Sequence, residues 1–278
     1  MSLSIFIKRY PVFTYFVLTF AVSWTGFLLV LGPGSFPGTQ QKFETVFPLA
    51  IILMLTGPAI AGLLLTGLAA GRAGLRELFS RFLKWRVGAR WYAAALLPAP
   101  LMVAAVLFAL SQTCPLFTAE NKVVILLTGI AAGLTTILEE IGWTGFAVPR
   151  MRQRYSILTT GLIVGVLWGV WHFLQVLWIS GVYSGTIPLP FFFAQYFLFS
   201  IAQLTAYRIL LVWIFDRTGS LLLTTLMHLS YTASTTIILR PLETGASFLI
   251  FGWVFAVVLW IFVAAVAAAN GNLFMKEG

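Results

Sequence analysis

The sequence predicts an all-α, polytopic membrane protein with about eight transmembrane helices and a polar cavity between the fourth, fifth, sixth and seventh. Three observations point there. Of 278 residues, 60% are hydrophobic and 9% charged, against roughly 25% charged in a soluble domain. Apolar runs of about 20 residues, the length that spans a bilayer, recur along the whole chain. The only two histidines, His172 and His228, and the only adjacent acid pair, Glu139-Glu140, lie inside those runs. At bilayer depth such groups cost on the order of 2.5–3.5 kcal/mol each by insertion scales, so they are rare without a use.

The first run, 11–31, follows Lys8 and Arg9 in the manner of a signal peptide. It is too long for a signal-peptide core and no small-residue cleavage site follows, so it reads as a retained helix. Gly32-Pro33 marks a loop, and Gly57-Pro58 marks a kink in the second run, 46–69. Before the third run, 91–110, comes GRAGLRELFSRFLKWRVGAR, residues 71–90. Its apolar residues alternate with arginines at helical spacing and predict a helix lying on the membrane surface. A basic loop that only enforces topology fits the composition equally. The remaining runs are 122–143 with the acid pair, 157–178 with His172, 191–215 with Arg208, 220–239 with His228, and 246–269. No internal repeat or second domain is visible, so residues 1–278 read as a single membrane domain.

The net charge of +9 does not call for nucleic acid. Lys8, Arg9, Arg72, Arg76, Arg81, Lys84, Arg86, Arg90, Arg150, Arg152, Arg154, Arg217 and Lys276 fall on one side of an eight-helix topology. Lys42, Lys122 and Arg240 fall on the other. This is the positive-inside pattern and predicts cytoplasmic termini. The basic excess also attracts anionic membrane lipids. Cys114 is the single cysteine, so no internal disulfide can form. Nothing in the sequence sets an oligomeric state.

Consecutive helical residues point about 100° apart, so Glu139 and Glu140 cannot both face one spot. One faces a reaction centre while the other holds a neighbouring element. The bland alternative is a buried pair tied to Arg208 or to the arginines near 150. His172 stands in GVLWGVWHFLQ, one turn after Trp168; alone, such a histidine is usually a core residue. His228 shares its helix with Thr224, Thr225, Tyr231, Thr232 and Thr235 at three- and four-residue spacing, a polar stripe. Helix–helix hydrogen bonding at about 0.6 kcal/mol per bond explains the threonines but not the imidazole. Ser200, Gln203 and Tyr207 form a weaker stripe beside Arg208.

An inventory narrows the chemistry. The H-E-x-x-H of a zincin is absent, and Asp216 is the only aspartate, one short of an aspartyl dyad. The G-x-S-G of a rhomboid-like serine protease is absent too, because Gly181-Val-Tyr-Ser184-Gly185 has the wrong spacing. Two histidines and a glutamate would satisfy a catalytic zinc, so counting leaves metal open. A glutamate–histidine site survives, with or without zinc.

These motifs resemble one family, the CAAX proteases and bacteriocin-processing enzymes, also called Abi or CPBP intramembrane proteases. The family pattern is E-E-x-x-x-R, an aromatic followed by x-x-x-H, and H-x-x-x-N on separate membrane helices. Here it reads Glu139-Glu140 to Thr144, Trp168 to His172, and His228 to Thr232. The resemblance covers roughly 130–240, which it identifies as a catalytic core. It implies an endopeptidase without a required cofactor, in which Glu139 activates water with His172. Glu140 would order the site, and His228 would stabilise the oxyanion with Thr232 in support. Trp143, Trp168 and Arg208 would shape the cavity. The implied partner is a peptide or lipidated protein: some relatives cut prenylated C-a-a-X tails, others are linked to bacteriocin processing or immunity. Thr144 and Thr232 stand where the pattern has arginine and asparagine, so a non-catalytic member acting as scaffold or immunity protein stays open. So does a proton-coupled transporter using the same buried groups.

Depth along the helices sets one geometric demand. At 1.5 Å per residue, His172 starts about 10 Å deeper than Glu139. The difference closes if Ser156–Gly161 lies at the interface or if the fifth helix tilts.

Overall fold

A computed structural model describes residues 3–32, 39–111, 122–180, 182, 187–239, 246–271 and 274. Pro33, Cys114, Gly181, Ser184, Gly185, Arg240 and Lys276, all singled out above, lie outside the described residues. Among the described residues every regular element is helical. In chain order the main helices are α1 (Pro11–Leu31), α2 (Phe47–Phe82), α3 (Ala89–Ser111) and α4 (122–151). They continue as α5 (Ile157–Ile179), α6 (Leu189–Thr218), α7 (Leu221–Leu239) and α8 (Ala246–Asn270). Short helices, Leu3–Arg9 and Gln40–Thr45, precede α1 and α2.

Among the described residues six of these, α1, α2, α3, α5, α6 and α8, contain stretches long and apolar enough to cross a membrane. The expected count of eight is reached only by adding α4 and α7, and those two carry Glu139-Glu140 and His228. α4 is not one regular helix. It runs as Lys122–Leu134 and Thr136–Gly142, then a π-helical turn, Trp143–Ala147, then Val148–Met151. α7 is regular but diluted with Thr, Ser and His.

The basic segment 71–90 is not a single surface helix. The helix of α2 is interrupted at Gly71, where φ is 59° and ψ −150°, and a second helical stretch runs from there to Phe82. Leu78 packs inward, while Leu83 and Trp85, beyond the helix end, are exposed. Pro58, by contrast, is carried within the helix.

Small residues set the closest packing. A Cβ on Gly142 would fall 2.2 Å from the Pro58 carbonyl oxygen and 2.4 Å from the Tyr15 hydroxyl. Only glycine there lets α4 close on α2 and α1. On α5, Gly161, Gly165 and Gly169 line one stripe, each meeting α6 backbone at 2.6 Å or less if given a Cβ. Such small-xxx-small stripes are how membrane helices approach where apolar burial gives no drive.

The two larger apolar clusters follow from this packing. One draws mainly on α1, α2, α4 and α5, the other on α3, α6, α7 and α8. The polar side chains of α4 to α7 meet at the seam between them.

Candidate active site

Glu140 is the anchor of the seam. Its carboxylate is fully buried and accepts from Arg208 Nη1 at 2.9 Å and 3.0 Å, one bond to each oxygen. His228 Nδ1 lies 2.8 Å from Oε1, and the Thr144 hydroxyl donates to Oε2. Two other helices and a neighbouring turn are therefore tied to one side chain: α6 through Arg208, α7 through His228, and the π turn of α4 through Thr144. A buried carboxylate needs such partners, because desolvating it alone costs several kcal/mol. Thr144, at the position where the resemblance calls for arginine, supplies a hydroxyl. The cation comes instead from Arg208, 68 residues along the chain.

Trp168 sits at the centre of the remaining contacts. Its indole N–H donates to Glu139 Oε2 at 2.7 Å. The Arg208 guanidinium stacks 4.1 Å above the indole ring, a cation–π contact that keeps the cation's flat face dry. The same ring meets His228 edge-on at 4.8 Å and His172 at 5.8 Å between centroids. One indole thus touches Glu139, Arg208 and both histidines.

His172 reaches this level by folding back. α5 departs from regular helix at His172, whose own N–H bonds three residues back to Gly169. Its ring Nδ1 lies 2.9 Å from the carbonyl oxygen of Trp168, one turn earlier. Helical side chains lean toward the helix N-terminus, and this bond fixes the lean, which reduces the depth mismatch expected from residue counting. A carbonyl oxygen can only accept, so Nδ1 carries the proton and Nε2 of the neutral ring holds the lone pair. His228 is oriented likewise: with Nδ1–H committed to a carboxylate that already accepts three other hydrogen bonds, it keeps Nε2 for other partners.

The other sequence-derived residues take less direct places. Trp143 is fully buried among Tyr15, Phe16 and Trp171, at centroid distances of 5.7–5.9 Å. It supports the site from behind, since Trp171 in turn packs 4.8 Å from His172. Thr232 lies half-buried one turn beyond His228, and its hydroxyl joins none of the hydrogen bonds described here. Arg208 retains Nε and Nη2 without partners among the described residues, buried donors that demand a partner. Among the described residues no three His, Cys, Asp or Glu side chains gather as a metal-ligand set.

Sequence reasoning missed three things. The π turn that begins three residues after Glu140 has no local signature, although such turns concentrate at functional sites. Thr144 as a donor to Glu140 could have been read from its four-residue spacing. The Gly161, Gly165 and Gly169 stripe was visible in the same way.

Comparison with known proteins bears on the same stretch. The family model described as Type II CAAX prenyl endopeptidase Rce1-like matches residues 119–234. A 40-residue segment is 38% identical to CAAX prenyl protease 2 of Methanococcus maripaludis, covering 14% of this chain and 15% of that protein. The matched region contains both glutamates, both histidines, Trp168, Arg208 and Thr232. Over residues 119–234, this multi-pass membrane protein is similar to the Type II CAAX prenyl endopeptidase Rce1-like family.

Proposed function

We propose that this protein is an intramembrane endopeptidase that hydrolyses a peptide bond near the membrane with water activated by Glu139. The observation that carries the reading is the gathering of Glu139, Arg208, His172 and His228 around the Trp168 indole. Glu139 gives one oxygen to the indole N–H, and its second oxygen is the base. Water held by that oxygen and by His172 Nε2 loses a proton to Glu139 as its oxygen bonds the substrate carbonyl carbon. The carbonyl oxygen becomes an oxyanion, stabilised by His228 in its imidazolium form, which keeps Nδ1–H on Glu140 and donates Nε2–H to the oxyanion. Glu139 returns its proton to the leaving amine as the C–N bond breaks. A carboxylate that first accepts and then donates a proton is ordinary general acid–base catalysis.

Glu140 and Arg208 are positioning residues in this account. Arg208 takes the part of the motif arginine that Thr144 lacks. The carboxylate it holds points His228 by way of Nδ1, as a buried carboxylate orients a catalytic imidazole. The substrate is a CAAX-type lipidated tail or a bacteriocin-like peptide, and the chemistry needs no metal. The rival reading, a non-catalytic family member, draws on Thr232, whose hydroxyl stands apart from the site's hydrogen bonds.

The test uses purified full-length protein and a fluorogenic prenylated peptide, with the unprenylated peptide beside it. Turnover is expected to survive chelation and to vanish in Glu139→Gln, which keeps size and hydrogen bonding but loses the base. His228→Ala is expected to lower turnover about 10²–10³-fold by removing an oxyanion donor. Loss on chelation with recovery on adding zinc would replace this mechanism by a metal one. Turnover of neither peptide by the folded wild type would favour the non-catalytic reading.

A further inference from the structure

Away from the seam, four arginines converge on one concavity of about 680 Å³ between the start of α1, the last turns of α2 and the end of α4. They are Arg9, Arg81, Arg150 and Arg154, and among the described residues Glu77 is the one acid lining the same space. Glu77 is spoken for, lying 2.5 Å from Arg81. The concavity therefore holds an excess of positive charge. Two arginines outside it are paired with acids: Arg152, beside this group, with Asp216 at 2.7 Å, and Arg208 with Glu140.

Two of the four guanidinium groups are held in place rather than free to sweep through solvent. Arg150 donates to the Phe146 carbonyl oxygen at 3.0 Å and stacks 3.7 Å over the Phe146 ring. Arg81 donates to the Gly145 carbonyl oxygen at 3.3 Å. Planar guanidinium groups fixed in this way present their remaining N–H bonds as forks, the geometry that matches phosphate oxygens. The wall below the arginines is apolar. Phe13, Ile163 and Leu167 line it, and Phe13 and Ile163 stay exposed at 61% and 37% on membrane helices. A basic rim above an apolar wall open to the bilayer fits one kind of molecule: an anion attached to a hydrocarbon chain.

We propose that this concavity binds the headgroup of an acidic phospholipid, its phosphate among Arg9, Arg81, Arg150 and Arg154 and its acyl chain against Phe13 and Ile163. The general attraction of basic loops to anionic membranes is spread over the surface. The proposal differs in tying selectivity to these arginines and not to others.

The experiment places the full-length protein in phosphatidylcholine nanodiscs containing phosphatidylglycerol and counts lipids retained through delipidation by native mass spectrometry. Wild type is expected to retain phosphatidylglycerol over phosphatidylcholine, and Arg150→Gln/Arg154→Gln to retain it on the order of tenfold less. Arg86→Gln/Arg90→Gln removes equal charge outside the concavity and is expected to behave as wild type. Arg9→Gln/Arg154→Gln spares the Arg150 stacking on Phe146 and covers the case where the first variant fails to fold; it is expected to lose selectivity too. Equal loss in the Arg86/Arg90 variant would overturn the proposal, leaving only diffuse attraction. So would equal retention of the two lipids by wild type. Displacement by millimolar inorganic phosphate with no dependence on Phe13→Ser would make this a phosphate site, not a lipid site. Displacement by a peptide carboxylate, with turnover lost in the variants, would make it a substrate dock.

Discussion

Glu139 and Glu140 are neighbours in the chain and opposites in their surroundings. Glu140 is fully buried and takes bonds from an arginine, a histidine and a threonine on three different segments. Glu139 is nearly as buried, at 4% exposed, yet among the described residues its side chain takes its bond from the neutral indole N–H of Trp168. The 100° between successive helical residues is what separates them: one side chain points at α6 and α7, the other at α5. A carboxylate whose oxygens are fully engaged is fixed as an anion and has little capacity left for a substrate. A carboxylate with one oxygen free can exchange a proton. In the proposed mechanism the same residue type serves architecture at 140 and chemistry at 139.

The largest expected effect tests the architectural half. Arg208→Met leaves the Glu140 charge buried without its cation, and breaking such a pair costs about 3–5 kcal/mol. The loss is expected in denaturant unfolding in detergent. Adding Thr144→Arg restores a cation at the motif position, one turn from Glu140, and is expected to recover a large part of that stability along with turnover. A singly substituted Arg208→Met protein as stable as wild type would break the comparison, because Glu140 would then not depend on the pairing. A failure of Thr144→Arg to rescue would show that the α6 position itself matters.

A smaller effect tests the edge of the site. Thr232→Asn puts an amide donor one turn from His228, where the family pattern has asparagine. Surface or half-buried polar changes of this kind usually lie within about 0.5 kcal/mol, so stability is expected to hold. Turnover, read as kcat/KM on the fluorogenic peptide, is expected to stay equal or rise. A tenfold fall would mean that the Thr232 hydroxyl has a role that its present contacts do not display.

How far these roles were legible in sequence depended on the distance over which they act. Periodicity exposed the apolar runs, the polar stripe of α7 and the isolation of Glu139-Glu140, because each is a pattern within one helix. It left the partner of Glu140 open, since the 68-residue gap to Arg208 is closed only by packing. The fold-back of His172 onto the Trp168 carbonyl was unreadable for the same reason: it follows from a break in α5 that no glycine or proline at 172 announces. Trp143 and Trp168 look alike in sequence, each near a candidate residue. In the fold one supports the site through Trp171 while the other touches four of its members. The segment 71–90 read as one amphipathic helix because its apolar spacing runs on past Phe82, where the helix itself stops.

The central claim is that Glu139 and Glu140 have separate jobs, and paired unfolding and turnover measurements on Glu139→Gln and Glu140→Gln test it most directly. Glu139→Gln is expected to abolish turnover while its unfolding free energy stays within about 1 kcal/mol of wild type, since the amide oxygen still accepts the indole N–H. Glu140→Gln is expected to be destabilised by several kcal/mol, because Arg208 is left as an unpaired buried cation. The contradicting result is the reverse pattern: a Glu139→Gln protein that still turns over substrate, or a Glu140→Gln protein that keeps full stability.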